Sequence, residues 1–474
     1  MHYRNYREER IEHWDKLSSR DKQNIFSKSY HSRLSEVYSN LIPSHSRILE
    51  IGSGNGDLLA SLKPSLGVGI DFSSAQIEKA QSKYPELIFY NMDVMELSNN
   101  FSSEPFDFII LSDTLNELWD VQSALLKILP CCHSRTRIIF NFYSRLWQPL
   151  LSFAQTLGLA KKNLQQNWLT REDITNLLQL GGFEKIKEWE EILLPITIPL
   201  LEPIFNKFLV KIWPFNLFAL TNLMIARPIF STPKKDYSVS VIVPARNEAG
   251  NIENIINLVP EMGSSTEIIF VEGNSTDDTY QTIQKKIQDY PNRKVSLLQQ
   301  DGIGKGDAVR KGFNAACGDI LMILDADLTV PPEDLPKFYD ALVSNKGEFI
   351  NGVRLVYPME QESMRFFNFL GNKFFSLAFS YLLGQPIKDT LCGTKVLFKK
   401  DYELIVENRK YFGEFDPFGD YDLLFGATRL GLKIVDLPIR YRERTYGSTN
   451  IQRWKHGWLL IKMVFYAVWR VKFV

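Results

Sequence analysis

Three things are scarce in this chain of 474 residues: cysteine, unbroken apolar stretches and any surplus of charge. The four cysteines, Cys131, Cys132, Cys317 and Cys392, show no C-x-x-C spacing. They are too few for a disulfide framework, which excludes a stapled secreted fold and points to a reducing compartment. Although 45% of residues are hydrophobic, no window reaches the roughly 18 near-continuous apolar residues of a membrane-spanning helix. Lys+Arg 55 against Asp+Glu 55 leaves no net field. Attraction of nucleic acid by bulk charge is thereby excluded, and any partner has to be recognised locally. The opening MHYRNYREERIEHWDKL is charged and lacks the apolar centre of a signal peptide, so the expectation is a cytoplasmic protein. The length suggests two or three domains.

What is present is most legible at ILMILDADLTVPPEDL, residues 320–335. An apolar run from Ile320 to Leu324 ends in Asp325 and Asp327 and stops at Pro331 and Pro332, which cannot continue a central strand. If the segment stays extended through Asp327, residues two apart share a face and both carboxylates project together. Such a pair suits Mg2+ or Mn2+ completed by substrate phosphate oxygens, and so a nucleoside diphosphate. The bland alternative is a solvated pair in a turn.

Ahead of it lies a separate pattern. Residues 1–42 space their apolar side chains by three and four, which predicts amphipathic helices covering the segments C-terminal to them. Then an apolar strand, Ile48–Ile51, runs into Gly52, Gly54 and Gly56, where bare backbone and a helix start allow a ligand close approach. A second strand ends at Asp71, about 20 residues on, where a carboxylate can hold ribose hydroxyls. Later strands end at Asp93 and Asp113. With EIGSGNG, FDFIILSDTLNEL, LTREDITNLLQLGGFEKI and LTNLMIARP, residues of about 30–228 resemble a class I S-adenosylmethionine-dependent methyltransferase. The resemblance implies that Glu50, Gly52, Gly54 and Gly56 surround the methionine part of S-adenosylmethionine, Asp71 the ribose and Asp93 the adenine edge. A sulfonium is already activated, so alignment of an acceptor supplies most of the acceleration and no base is implied. Tyr30, His31, His133 and Tyr143 could line an acceptor site, but each such residue is more often packing or surface, and none is favoured. The apolar stretch 192–218 is broken by Pro195, Pro199, Pro203 and Pro214. It is expected to pack against the core, with a wall for a lipid-like methyl acceptor as the alternative.

After a short polar linker, SVSVIVPARNEAG, TEIIFVEGNSTDDT and KVSLLQQDGIGKGDAVRKG alternate strand with helix, predicting a parallel sheet with ligands at its carboxyl edge. With DADLTVPPEDL, DTLCGTK and RERTYGSTN, residues of about 237–450 resemble family 2 glycosyltransferases of the GT-A fold, and most closely the polyprenyl-phosphate sugar transferases. The resemblance implies that Pro244, Ala245, Asn247, Glu248, Glu272 and Asp277 hold the nucleoside. It puts Asp325 and Asp327 on the metal and diphosphate, and Lys305 and Arg310 near the phosphates. Two departures stand out: Glu272, Gly273 and Asn274 replace the usual two aspartates and glycine, and Thr329 replaces a frequent glutamine. Arg354, Arg365 and Arg444 match acceptor-side arginines, with Asp389 as support. A lipid phosphate is ionised near neutral pH and attacks unaided, whereas a sugar hydroxyl needs a base, for which Asp420 or Asp422 is available.

The expected architecture is α/β, with two Rossmann-like domains: a class I methyltransferase fold over 1–228 and, after a linker at 229–238, a GT-A fold over 239–450. An amphipathic tail occupies 451–474. The aromatic stretches 366–384 and 458–474, which carry a few basic residues, suit a bilayer interface. They equally suit a core cap or a homo-oligomer surface. The expected function is a bifunctional transferase on the cytoplasmic face of the membrane. It would move a hexose from a nucleotide sugar to a polyprenyl phosphate with catalytic roles for Asp325, Asp327 and Arg444, and transfer methyl groups from S-adenosylmethionine. The alternatives are a glycan hydroxyl acceptor with Asp422 as base, and an N-terminal domain that only binds or docks. No nucleic-acid partner is expected.

Overall fold

The computed structural model describes residues 3–18, 25–98, 100–156, 164–195, 198, 201–230, 235–354, 356–357, 366–407, 409, 421–444, 446–447 and 453–473. Two compact units divide the chain, Met1–Phe230 with Phe473–Val474, and Ser231–Lys472.

In the first unit, α1 (Tyr3–Ser18) and α2 (Ile25–Leu41) precede seven strands: β1 Arg47–Ile51, β2 Leu66–Asp71, β3 Ile88–Asn91, β4 Phe106–Leu111, β5 Cys132–Tyr143, β6 Phe183–Glu191 and β7 Thr221–Pro228. They lie in the order β3-β2-β1-β4-β5-β7-β6. Neighbours from β3 to β5 pair in parallel, and β7 runs antiparallel between β5 and β6. The order reverses between β1 and β4, and the crevice at that switch is where a ligand fits. Ile48, Ile109, Ile138 and Leu223 are fully buried, as expected of strands covered on both faces.

The second unit repeats the principle with β8 Val239–Ala245, β9 Thr266–Glu272, β10 Lys294–Gln299, β11 Ile320–Ile323, β12 Phe349–Val353, β13 Lys395–Phe398 and β14 Ile434–Pro438. The order is β10-β9-β8-β11-β13-β12-β14, with β13 antiparallel to both neighbours.

Two expectations need correction. β11 ends at Ile323, and residues 325–328 form a turn in which the Leu328 amide donates to the Asp325 carbonyl and Leu328 takes φ 56°. Asp325 and Asp327 are therefore presented by a turn and not by strand alternation. The stretch 192–218 is core only in part: Ile192, Asn206, Val210 and Lys211 are buried, but Ile204, Trp213, Leu217 and Phe218 face outward. Its prolines and short helical turns leave most apolar side chains without a layer to pack on. In the expected tail lies the helix Arg453–Ala467, with Leu460, Met463 and Ala467 packed into the core and Trp458, Ile461 and Phe465 outward. Among the described residues no helix is long and apolar enough to cross a membrane.

Candidate active sites

In the first unit β1 runs into a loop in which Gly52, Gly54 and Gly56 all have positive φ, 72°, 51° and 77°. A side chain on Gly52 would collide with Thr114 Oγ1, whereas Gly54 faces open space. Asp71, ending β2, accepts from the Gly54 amide through Oδ2 and the Ser73 amide through Oδ1, both at 2.9 Å. Burial raises its pKa in spite of those amides. Both oxygens retain lone pairs for a ligand hydroxyl. Asp93 caps the turn at 94–96 through the Met95 amide and receives the Tyr3 hydroxyl at 2.8 Å, with Arg7 3.4 Å away.

Gly52, Asp71, Asp93, Thr114 and Glu117 line a cavity together with apolar side chains such as Met92 and Trp119, and α1 adds Tyr3, Tyr6, Arg7 and Arg10 to its wall. Arg10 is anchored by Glu117 at 3.1 Å and Tyr6 by the Glu117 carbonyl at 3.2 Å. A glycine cradle with two carboxylates at strand ends fits S-adenosylmethionine, a hydroxyl-bearing cation. Gly54, Gly56 and Glu50 are not among the lining residues; Glu50 is buried, receives the Leu59 amide, and its pKa is pushed up to about 8, chiefly by burial. Tyr30, His31 and Tyr143 gather about Asp113, which the sequence marked only as a strand end. His133 does not join them, lying 3.3 Å from Asp107 near the amino end of β4.

In the second unit two loops at the carboxyl edge are knitted together. Asn247, at φ 58°, donates its amide to Ser275 Oγ and accepts the Thr276 amide at 2.8 Å. The Glu248 amide reaches Thr279 Oγ1, and the Gly273 amide reaches the Ala245 carbonyl just beyond Pro244. Glu272 is buried and accepts the Ser275 amide at 2.5 Å, and Asp277 accepts the Thr279 amide. These two acids therefore shape the loop themselves.

Beside it, Lys305, opening the helix Lys305–Ala315, lies 2.7 Å from Asp325 Oδ1. Asp327 takes Thr329 Oγ1 on Oδ1 and Arg444 on Oδ2 at 2.9 Å, and Arg444 also reaches Glu248 at 3.3 Å. Burial raises the Glu248 pKa although Arg444 opposes it. Burial pushes Asp325 upward too, but Lys305, Arg354 and Lys395 outweigh it and hold the carboxyl below its ordinary value.

Arg354 grips Asp389 in a fork, Nε to Oδ2 at 2.7 Å and NH2 to Oδ1 at 2.9 Å, and lies over the Tyr441 ring. Lys395, fully buried, donates to the Cys392 carbonyl. Its place in DTLCGTK was the available signal, and sequence reasoning gave it no role. A side chain on Gly393 would strike both Asp325 and Lys305, so this loop is pressed against the acid. Arg310 does not join Lys305: its charge reaches Tyr402, whose hydroxyl pKa burial raises. Asp422 opens the helix Tyr421–Arg429 and pairs with Arg409 at 3.1 Å. Arg365 and Asp420 lie outside the described residues.

A cation fits beside Asp325, whose Oδ2 has no hydrogen-bond partner among the described residues, provided substrate oxygens complete its shell. No group of three or more His, Cys, Asp or Glu that could hold a metal alone occurs among the described residues.

Comparison with known proteins agrees with this geometry. The family model described as glycosyl transferase family 2 matches residues 240–404, and that of a methyltransferase domain matches residues 20–188. Dolichol-phosphate mannosyltransferase of Pyrococcus furiosus is 29% identical over 220 residues, 45% of this chain and 59% of that protein. Undecaprenyl-phosphate 4-deoxy-4-formamido-L-arabinose transferase of Salmonella paratyphi B is 24% identical over 216 residues, 45% and 62%. The chain thus spans about three fifths of the length of these curated relatives. Magnesium protoporphyrin IX methyltransferase from Synechocystis, solved with bound SAH, is 16% identical at a TM-score of 0.31, over 45% of this chain and 92% of that one. The protein therefore carries a methyltransferase domain in its N-terminal half and a family 2 glycosyl transferase domain in its C-terminal half.

Proposed function

We propose that the C-terminal unit transfers a hexose from a nucleotide sugar to a polyprenyl phosphate, with inversion, and that the N-terminal unit transfers methyl groups from S-adenosylmethionine. The observation that carries the glycosyl reading is the set of cations around the Asp325–Asp327 turn: Lys305, Arg354, Lys395 and Arg444. Such a set suits two phosphorylated ligands meeting at one point. Asp325 and Asp327 would hold Mg2+ or Mn2+ together with the donor diphosphate, and that ion would offset charge on the leaving group. Lys305 neutralises the same phosphates from the helix start. The loops 244–248 and 272–279 hold the nucleoside, and Arg444 and Arg354 clamp the incoming lipid phosphate, Arg354 being held in place by Asp389.

An ionised phosphate needs no base. Asp422, the described candidate base for a sugar hydroxyl, is instead occupied by Arg409. The lipid reading is supported by the printed activities of the relatives and by outward Phe374, Leu377, Trp458, Phe465 and Trp469. Lys472 stands 4.4 Å above the Tyr381 ring at the edge of this surface. Aromatic side chains with basic flanks suit the cytoplasmic face of a bilayer.

The test is incubation of the full chain with a panel of nucleotide sugars, a polyprenyl phosphate and manganese, with Asp327→Ala as control. A lipid-linked sugar that the variant fails to make supports the proposal; its absence with every donor overturns it. For the N-terminal unit, calorimetry with S-adenosylhomocysteine should give binding that Asp71→Ala abolishes.

A further inference from the structure

At the carboxyl edge of the first sheet, next to the cofactor cavity, one carboxylate is fixed on one side and open on the other. Asp113 Oδ1 accepts the Tyr30 hydroxyl at 2.6 Å and Asn141 Nδ2 at 2.5 Å. Asn141 is itself held by the Tyr38 hydroxyl at 2.9 Å, and Tyr30 receives Thr221 Oγ1 at 3.3 Å. Four side chains from three elements, α2, β5 and β7, thus orient one oxygen, and Oδ2 has no hydrogen-bond partner among the described residues. The neighbouring Thr114 packs on Gly52 and lines the cofactor cavity. Burial raises the Asp113 pKa, so this carboxyl is a better proton acceptor than an exposed one.

The chain beside this carboxylate leads to apolar surface. Tyr143, whose ring lies by that of Tyr30, precedes Ser144, whose amide bonds the Leu220 carbonyl next to Thr221, and Trp147 Nε1 bonds the Phe218 carbonyl. The helix Trp147–Thr156 and the residues before Thr221 are thereby joined, and Phe153 at 64% and Trp213 at 75% exposure face outward. Resting on the methyltransferase reading, we infer that this is the methyl-acceptor site, and that its acceptor is an amphiphile. An O–H or N–H head would meet Asp113 Oδ2 while the apolar body lies along Phe153, Trp213 and Phe218. The proton shed by the head as it takes the methyl group passes to Oδ2, while the electron pair of the broken sulfur–carbon bond stays on the departing thioether sulfur. Tyr30 and Asn141 are positioning residues.

The experiment saturates the full chain with S-adenosylhomocysteine and titrates hexyl-, octyl- and decylamine by calorimetry. A buried methylene is worth about 0.8 kcal/mol, so affinity should rise about fourfold per methylene. Phe153→Ser with Trp213→Ser should flatten that rise to about twofold or less per methylene and leave S-adenosylhomocysteine binding unchanged. Asp113→Asn should weaken every amine by about tenfold and keep the chain-length slope, as expected for loss of one charge-assisted hydrogen bond. Should Asp113→Asn fail to fold, Tyr30→Phe retains the carboxylate and removes a bond that lowers its pKa. The acid limit of amine binding should then move to higher pH. That shift is read in a His31→Gln background, because His31, Tyr30, Tyr38, Tyr143 and Glu117 are the ionisable groups facing Asp113 and a histidine would add its own titration. The inference is overturned if the loaded protein binds no amine, or binds all of them equally in wild type and variants. Failure of S-adenosylhomocysteine itself to bind removes the methyltransferase reading and this site with it.

Discussion

Replacing Glu50 by glutamine should stabilise the N-terminal unit, and the gain should grow with pH. Glu50 is 2% exposed, receives one amide from Leu59, and its Oε2 has no hydrogen-bond partner. Burial, with the nearby Asp71 and Asp57 charges, moves its pKa from 4.5 to about 8. The unfolded chain therefore gives up this proton near pH 4.5, whereas the folded one keeps it until about pH 8. Below the lower value the side chain carries no ionisation penalty; the penalty grows between the two and is complete above the upper one. At about 1.4 kcal/mol per pH unit, it amounts to about 2 kcal/mol at pH 6 and about 5 kcal/mol at pH 9. Glutamine does not titrate, so the advantage of Glu50→Gln should widen by about 3 kcal/mol over that range. For a unit of this size that corresponds to roughly 6–12 °C in Tm. Because a two-unit chain does not melt as one two-state system, each transition is followed separately by scanning calorimetry. The N-terminal one is identified by its response to S-adenosylhomocysteine. A gap between variant and wild type that stays flat from pH 6 to pH 9 would refute the reasoning.

Arg354→Ala leaves the buried Asp389 carboxylate unpaired and should cost the C-terminal unit about 3–5 kcal/mol, roughly 6–20 °C in Tm, with Arg354→Lys losing less. Burial raises the Asp389 pKa but Arg354 holds it below its ordinary value, so the stabilisation is present at neutral pH and lost as pH falls through that depressed pKa. The calorimetric gap between Arg354→Ala and wild type should accordingly narrow in acid, and an unchanged Tm at pH 7 refutes the pairing. Trp458→Ser with Phe465→Ser should lower flotation with anionic vesicles by at least about tenfold, since each aromatic contributes roughly 1.5–3 kcal/mol when buried. Equal flotation would leave this surface without a membrane role. Lys305→Met removes the cation that competes for Asp325 and should tighten manganese binding to the donor-free protein by about tenfold. Electron paramagnetic resonance of free manganese reads this directly, and weaker binding would count against Asp325 as a ligand.

Much of the framework was legible because it rests on local pattern. Ile48–Ile51 and Ile320–Ile323 are short, largely apolar runs ending at a turn, and both became buried strands. Asp71 could be placed because a strand-end acid after a glycine loop needs only sequence order. The turn at 325–328 was not legible, since an Asp–x–Asp after a strand reads the same whether the chain extends or turns. Nor could order reveal that Tyr3 would reach Asp93, or that Tyr30 and Thr221 would meet at Asp113. Those contacts depend on packing between residues up to 191 positions apart. The 192–218 stretch was misjudged for a related reason: hydrophobicity specifies that a side chain prefers cover, and the fold decides whether cover exists.

The two units use the same device, acids at the carboxyl edge of a sheet, but compensate it in opposite ways. In the first, burial leaves Glu50, Asp71 and Asp113 with raised pKa values, and most of what touches them is neutral: amides, a phenol, a carboxamide. Ionisation of these acids is costly because no cation offsets their burial, and a ligand that brings positive charge, as a sulfonium or an ammonium does, would lower that cost. In the second, Lys305, Arg354 and Lys395 hold Asp325 and Asp389 below their ordinary values against the same burial. Glu248, which pairs with Arg444, is raised by burial. A diphosphate entering that site meets cations already in place and acids already ionised, so a divalent ion needs no proton release to bind between them. The direction in which burial is or is not overcome thus differs between the two units, as the proposed cationic cofactor and anionic donor require, although both sheets present their acids at the same edge.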